Sequence, residues 1–361
     1  MKIKPFIQYG TIDPSVLKDF VQGASIAIVC SNSVWNKSYI SSVIDSLSSV
    51  YNIKLYKHMR PNAPFSDLQQ IIDDYSGSKP DTIIGIGGGS VIDACKALSV
   101  CFEGNSLRDL FYKRKNLGSN SIHTIAIPTT AGTGAELSFG AILYDDLDGI
   151  KGGLRGEVLQ PNVVMIDVKL YATAPPKLIA EVGFDCLTHA VETYISTKSN
   201  PIVQYQSLST IRTVFSCLPN AVKGDLHALK QMAISSAMMG VNLAYSSTCL
   251  PHRIQYVIGP MTRTSHAQGL IALYKGWTKL LEENGSQTSL EILERDMGYD
   301  FNLRDAVKEL KSKVDINYTL DTLGIKVEDV ELVASKVTGN VKNDPIYENE
   351  ETIVKLLKES F

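Results

Sequence analysis

Apolar residues form short unbroken runs in the first half of the chain and recur at helical spacing in the second. Residues 25–30 (SIAIVC), 82–86 (TIIGI), 122–127 (IHTIAI) and 163–167 (VVMID) are compact runs rich in β-branched side chains. Runs without polar alternation suit strands buried on both faces of a parallel sheet. Between them, residues 66–75 and 91–100 carry helical spacing, so the pattern predicts an α/β layer. From about Pro176 onward strand signals nearly vanish. Residues 177–196, 205–218, 226–245, 266–283 and 289–297 read as helices, as do 330–338 and 352–360 in the tail. The change falls at Ala174-Pro175-Pro176, where consecutive prolines disfavour a helix before them. The expected units are 1–174, an α/β domain, and 175–361, an all-helical domain. There is no internal repeat and no low-complexity segment.

Composition narrows the classes. Of 361 residues, 44% are apolar and 20% charged, as in ordinary soluble proteins. A formal net charge of -3 provides no global attraction to nucleic acid or an anionic membrane, so neither is an expected partner. The six cysteines, at 30, 95, 101, 186, 217 and 249, include no C-x-x-C pair and read as reduced thiols of a cytoplasmic protein. Met1-Lys2-Ile3-Lys4-Pro5 is followed by no apolar h-region, so no signal peptide is expected. No apolar run approaches the roughly 20 residues of a membrane span.

Three stretches carry candidate chemistry. Gly85-Ile86-Gly87-Gly88-Gly89-Ser90 leaves an apolar strand and enters a helical segment. Glycines let a phosphate approach the backbone, and a helix N-terminus offers free N–H groups and a favourable dipole. The order is not G-x-G-x-x-G, and a tight turn with no ligand remains an open reading. Pro128 to Ser138 (PTTAGTGAELS) follows another strand and packs hydroxyls and glycines into one turn. It suits phosphate or ribose contacts, or an ordinary polar loop. Asp185 and His189 stand four apart in a helical segment, on one face, where they can grip one cation. His252 and His266 follow, fourteen apart. Three imidazoles and a carboxylate suit Fe²⁺ or Zn²⁺ rather than Mg²⁺ or Ca²⁺. By spacing alone a lone buried histidine is more often a satisfied core residue than a ligand, the reading given to His58, His123 and His227.

Together these residues resemble the iron-containing alcohol dehydrogenases. Gly87-Gly88-Gly89-Ser90 with Asp93 and Lys96 is similar to that family's GGGSxxDxxK signature, and Pro128 to Ser138 resembles its PTTAGTGSE segment. Asp185-x-x-x-His189, His252 and His266 fall at its four metal-ligand positions, with Gly259 seven after the third, and Asn343-Asp344-Pro345 resembles its late Asn-Pro element. The resemblance implies a dehydroquinate synthase-like fold, a nucleotide-binding α/β domain followed by a helical domain, with cofactor and metal in the cleft between them. It implies NADP or NAD as cofactor and a divalent metal, Fe²⁺ with Zn²⁺ as the alternative. Gly88, Gly89, Ser90 and Asp93 would serve the pyrophosphate turn, and Thr129, Thr130, Thr133 and Ser138 would line the nucleotide site. Lys151 falls where the family has a lysine near the nicotinamide ribose. Asp185, His189, His252 and His266 would be the metal ligands. The family is commonly dimeric or larger, so a homo-oligomer is expected.

The chain departs from the family pattern at four positions. The family usually has Asp just after its first nucleotide-domain strand, where it accepts bonds from the adenosine ribose and repels a 2′-phosphate. Here Ser31 stands there, followed by Asn32, so NADPH is expected to be accepted. A frequent His four residues after the third ligand is Tyr256, a phenol that can relay a proton but is a poorer base at neutral pH. His-Gly at the last ligand reads His266-Ala267, and Ala135 replaces a common Ser. The expected reaction is hydride transfer between NAD(P)H and a small alcohol/aldehyde pair, catalysed with Tyr256 and Lys151. Arg155, Arg253 and Arg263 suggest an anionic aldehyde, phosphonate or sugar-derived, since arginine pairs bidentately with such groups. The alternatives are a glycerol-type polyol dehydrogenase and a dehydroquinate synthase-like lyase with internal redox.

Overall fold

The computed structural model describes residues 5–113, 116–284, 289–298 and 300–361. Met1 to Lys4, the start of the stretch read above for a signal peptide, lie outside the described residues. The chain divides into two compact units: residues 1–130 with 134–174, and residues 131–133 with 175–361.

Among its described residues the first unit holds eight strands: β1 (Phe6–Tyr9), β2 (Ser25–Cys30), β3 (Asn52–Tyr56), β4 (Thr82–Gly87), β5 (His123–Pro128), β6 (Gly140–Asp145), β7 (Ile150–Arg155) and β8 (Val163–Ile166). Six of them form a sheet in the order β1-β8-β5-β4-β2-β3, every pair parallel. β6 and β7 pair separately as an antiparallel hairpin. The unbroken apolar runs predicted this arrangement, because both sheet faces are covered. Ile26, Ile28, Cys30, Ile84 and Ile86 join one core on one face, while Ala27, Val29 and Ile83 join a second core on the other. Fully burying one such isoleucine contributes about 1.5–3 kcal/mol.

Four strands lay outside the sequence-based expectation. β1 and β3 are sheet edges with partly exposed side chains, and β6–β7 is an alternating hairpin. None presents the continuous apolar run by which the central strands were found. The glycine turn closes β4 and opens the helix Gly89–Cys101, which is buried along nearly its whole length.

Every regular element among the described residues of the second unit is a helix. Its longest buried element is the helix Pro176–Ile195, started by Pro176 in the first turn after an extended Pro175. It packs against the helices Pro201–Val222, Leu226–Tyr245 and His266–Glu283. The helix Leu250–Thr262 was not expected, because Pro251, Gly259 and Pro260 interrupt its pattern. Pro251 sits in the first turn, where its missing N–H costs nothing. Among the described residues, no helix is long and apolar enough to cross a membrane.

Candidate functional site

In the helical unit, the helix Pro176–Ile195 is buried on almost every side from Gly183 onward, so its polar residues need a reason. Asp185, His189 and Glu192 stand at i, i+4 and i+7, within about 60° of one another on the helical wheel. His252 arrives from the first turn of the helix Leu250–Thr262. The ligand atoms of Asp185, His189 and His252 all lie within 4.8 Å of one another, and all three residues are buried. His189 Nε2 is 3.8 Å and His252 Nε2 is 3.6 Å from Asp185 Oδ1. Ligands about 2.1 Å from a tetrahedral centre would stand about 3.4 Å apart, so the cluster needs little contraction to hold one ion.

Hydrogen bonds on the far side of each ring fix which nitrogen points inward. His189 Nδ1 donates to the Gly132 carbonyl at 3.1 Å. His252 Nδ1 donates to the Glu192 carboxylate at 2.9 Å. Both Nε2 atoms therefore turn toward Asp185, and His252 Nε2 is buried with no hydrogen-bond partner. Two nitrogen lone pairs and a carboxylate converging in a buried place suit a divalent cation. Electrostatics agrees. Burial works to raise the Asp185 pKa, but His189, His252 and His266 pull it well below the usual carboxylate range. Burial opposes a charged His252, yet Glu192 and Asp185 lift its pKa to about 9. A bound cation would take the place of that proton. Burial lowers the His189 pKa, keeping that ring neutral.

His266 is half-buried at the start of the helix His266–Glu283, behind a capping box formed by Ser265 and Gln268. Its ring centroid lies 5.2 Å from that of His252. Tyr256 stacks on His266 at 6.1 Å, and the Arg253 guanidinium lies 5.2 Å over the Tyr256 ring. The three arginines separate clearly. Arg253 belongs to this column of rings and donates to Thr248 Oγ1. Arg263 is exposed in a left-handed turn at φ 56°. Arg155 is exposed on β7, in the other unit, and lines an open cavity of about 670 Å³ with Asn116, Ser119 and Glu157.

Spacing arguments missed Glu192 and the role of Asp344. Glu192 is buried and also accepts from the Cys249 amide at 2.7 Å, so it orients the ring and the helix start together. Its heptad offset from Asp185, on an otherwise apolar helix, was the available signal. Asp344 accepts from the Leu250 amide at 2.9 Å and from Trp277 Nε1 at 2.8 Å, and so holds the beginning of the His252 helix. Burial pushes its pKa up to about 6.

In the sheet unit, Gly88, Gly89 and Ser90 are accessible at the mouth of the glycine turn. Gly88 has an ordinary φ of -77°, so its lack of a side chain serves close approach. A Cβ there would stand 3.0 Å from Thr130 Oγ1. Ser90 Oγ accepts from the Asn62 amide at 2.9 Å, and Lys151 Nζ donates to Asn62 Oδ1 at 2.8 Å. Asn62, held at φ 68° between Pro61 and Pro64, thus links two expected cofactor residues and was not singled out from sequence. Asp93 is buried, accepts from the Ile142 amide at 2.9 Å and faces Lys96 Nζ at 3.5 Å, which makes it a brace for the turn. Ser138 Oγ accepts from Lys96 Nζ at 3.0 Å. Thr129 is buried, its amide bonded to the Gly87 carbonyl at 3.0 Å, while Thr130 is partly accessible. Thr133, also partly accessible, belongs to the other unit. Ser31 follows β2, partly accessible, with its Oγ 3.2 Å from Ser33 Oγ.

Known proteins resemble this chain along most of its length. Residues 9–168 match the iron-containing alcohol dehydrogenase domain, and residues 179–361 match the C-terminal domain of the Fe-containing alcohol dehydrogenase family. The chain is 30% identical over 243 residues to the 1-propanol dehydrogenase PduQ of Citrobacter freundii, a match spanning 67% of this chain and only 62% of that protein. It is 26% identical to the sulfoacetaldehyde reductase of Bilophila wadsworthia, across 85% of this chain and 84% of that one. The iron-containing alcohol dehydrogenase structure from Thermococcus thioreducens superposes with a TM-score of 0.89 at 23% identity, covering 100% and 99% of the two chains.

Proposed function

The chain belongs to the iron-containing alcohol dehydrogenase family, and on that premise we propose that it reduces a small aldehyde with NADPH in a metal-dependent reaction. The observation that carries this reading is the buried convergence of His189 Nε2, His252 Nε2 and the Asp185 carboxylate. These three, with His266 beside them, would hold a divalent cation, Fe²⁺ or Zn²⁺. When bound, the cation polarises the substrate carbonyl and the reduced nicotinamide supplies the hydride.

The chain's own residues do the rest. Gly88, Gly89 and Ser90 offer backbone and hydroxyl donors to the pyrophosphate. Thr129, Thr130, Thr133 and Ser138 line the nucleotide site, and Lys151, oriented through Asn62, serves the ribose. Asp93 supports the turn from beneath. Ser31 places no carboxylate where a 2′-phosphate would sit, which favours NADPH. Tyr256 holds a proton on its Oη for delivery to the substrate oxygen. Arg253, adjacent in sequence to His252 and stacked over Tyr256, favours an aldehyde carrying an anionic group.

One anaerobic experiment tests the reading. The protein is stripped of metal, reloaded with Fe²⁺ or Zn²⁺, and followed by NADPH and NADH absorbance against neutral and anionic aldehydes. Metal-dependent cofactor oxidation is expected, faster with NADPH and anionic aldehydes, and abolished in His252→Ala. An equal kcat/KM for neutral and anionic aldehydes would remove the Arg253 assignment. Dinucleotide binding without net absorbance change on any substrate would favour internal redox of the dehydroquinate synthase type.

A further inference from the structure

The parallel sheet makes the adenosine end of the proposed dinucleotide site a matter of register. Ligands of such sheets sit outside the carboxyl ends of the strands. The glycine turn follows Ile86 at the end of β4, and Ile86 pairs with Cys30 at the end of β2. Ser31 therefore stands beside the glycine turn, one strand spacing away, about 4.8 Å. On the other side of β2, Val29 pairs with Tyr56 at the end of β3. The next residue, Lys57, is thus level with Cys30, a second strand spacing farther from the turn. A ribose joined to its pyrophosphate by a single methylene would lie over Ser31, with its 2′ side toward Lys57.

Lys57 is built to stay there. It is partly buried, and its ammonium lies 5.1 Å over the Trp35 ring, in the short helix that follows Ser31. It makes no ion pair or hydrogen bond among the described residues. Its charge reaches the end of β2, where it partly offsets the burial that pushes the Cys30 thiol up to about 11. The hydroxyls of Ser31 and Ser33, in the segment that follows the same strand, lie 3.2 Å apart.

We infer that Lys57 is the residue that selects the phosphorylated dinucleotide, its ammonium meeting the 2′-phosphate while Ser31 and Ser33 donate hydroxyls to it. The inference rests on the dinucleotide reading above and adds a residue on a different strand from the glycine turn. The unpaired ammonium is the recognition element, and Trp35 fixes its direction.

Titration calorimetry of the full chain with adenosine 2′,5′-bisphosphate and 5′-AMP, which differ only in the 2′-phosphate, tests it. Wild type is expected to bind the bisphosphate about tenfold more tightly than 5′-AMP, as one charge-assisted contact provides. Lys57→Ala should erase that preference and leave 5′-AMP affinity and the melting temperature unchanged. Lys57→Arg should keep it. Trp35 fluorescence should respond to the bisphosphate and not to 5′-AMP, and the response should vanish in Trp35→Phe, since Trp277 is fully buried in the helical unit. A preference retained in Lys57→Ala, or equal binding of both ligands by wild type, would overturn the assignment while leaving the dinucleotide site standing. Binding of neither ligand would overturn the dinucleotide reading and this inference with it.

Discussion

The sheet unit and the helical unit each bury a glutamate beside their candidate chemistry, and the two are treated in opposite ways. Glu136 lies in the hydroxyl-rich loop after β5, 1% exposed, with no hydrogen-bond partner for its Oε1. The neighbouring Lys96 is fully buried, but it donates its protons to the Ala135 carbonyl at 2.7 Å and to Ser138 Oγ. Burial therefore dominates and pushes the Glu136 pKa up to about 7. Glu192, also fully buried, receives the Cys249 amide and the His252 ring N–H, with Tyr274 Oη 3.4 Å away. The two are equally buried and differ in the donors within reach. The sheet unit presents its site through backbone atoms and can leave a carboxylate poorly compensated below them. The helical unit builds its site from side chains, and there a carboxylate has to be compensated because it orients a proposed ligand.

The largest effect expected from this contrast is a pH dependence of stability that Glu136 creates. Its folded pKa, about 7, stands above the ordinary 4.5. Between those values the folded chain keeps a proton that the unfolded chain has released, so stability falls as pH rises through that window. The full loss is about 3 kcal/mol at pH 7 and above. Asp344, raised from 3.8 to about 6, adds a loss of the same sign in a lower pH window. Glu136→Gln keeps the shape and removes the first slope, leaving those of Asp344 and of His252, whose raised pKa acts in the same direction. Denaturant midpoints measured from pH 4.5 to 8 check this, and parallel slopes in variant and wild type would show that Glu136 finds a partner in solution.

Glu192→Gln reads the other side of the comparison. The amide keeps the volume and loses the charge that fixes the His252 tautomer. Removing such an outer partner typically costs 10–100-fold in metal affinity. Competition with a chelator measures it, and circular dichroism separates it from a folding defect. An unchanged affinity with an intact fold would mean that the Cys249 contact, and not the ring, is what Glu192 serves.

The same contrast decides how much could be read from the chain. A backbone-built site needs consecutive residues, so Gly87-Gly88-Gly89-Ser90 and Pro128 to Ser138 stood out as contiguous patterns. The strands bearing them were visible because burial on both faces removes polar positions. The side-chain-built pocket spreads from Asp185 to His252, and its order came from the family resemblance, since spacing alone left each histidine ambiguous. The heptad offset of Glu192 and the Asn343-Asp344-Pro345 element mark these residues, but their partners lie 60 or more residues away in sequence, so their roles were not legible. Edge strands β1 and β3 escaped because solvent on one side dilutes the apolar run. The helix Leu250–Thr262 escaped because Pro251 and Pro260 read as breakers, although Pro251 sits in the first turn, where a helix tolerates it.

The smallest expected effect separates two reasons for a glycine at position 88. Gly88→Ala would set a methyl 3.0 Å from Thr130 Oγ1, at the mouth where a pyrophosphate would approach. Such overpacking costs about 1–3 kcal/mol, so dinucleotide affinity should fall roughly tenfold. The double variant Gly88→Ala/Thr130→Ala removes the internal clash and leaves the methyl facing the ligand. Affinity restored in the double variant would make Gly88 a packing residue that accommodates the Thr130 loop. Affinity still low, with the melting temperature restored, would make it a recognition residue, whose missing side chain admits phosphate to the first amides of the helix Gly89–Cys101. The accessible position of Gly88 and its ordinary φ favour the second result.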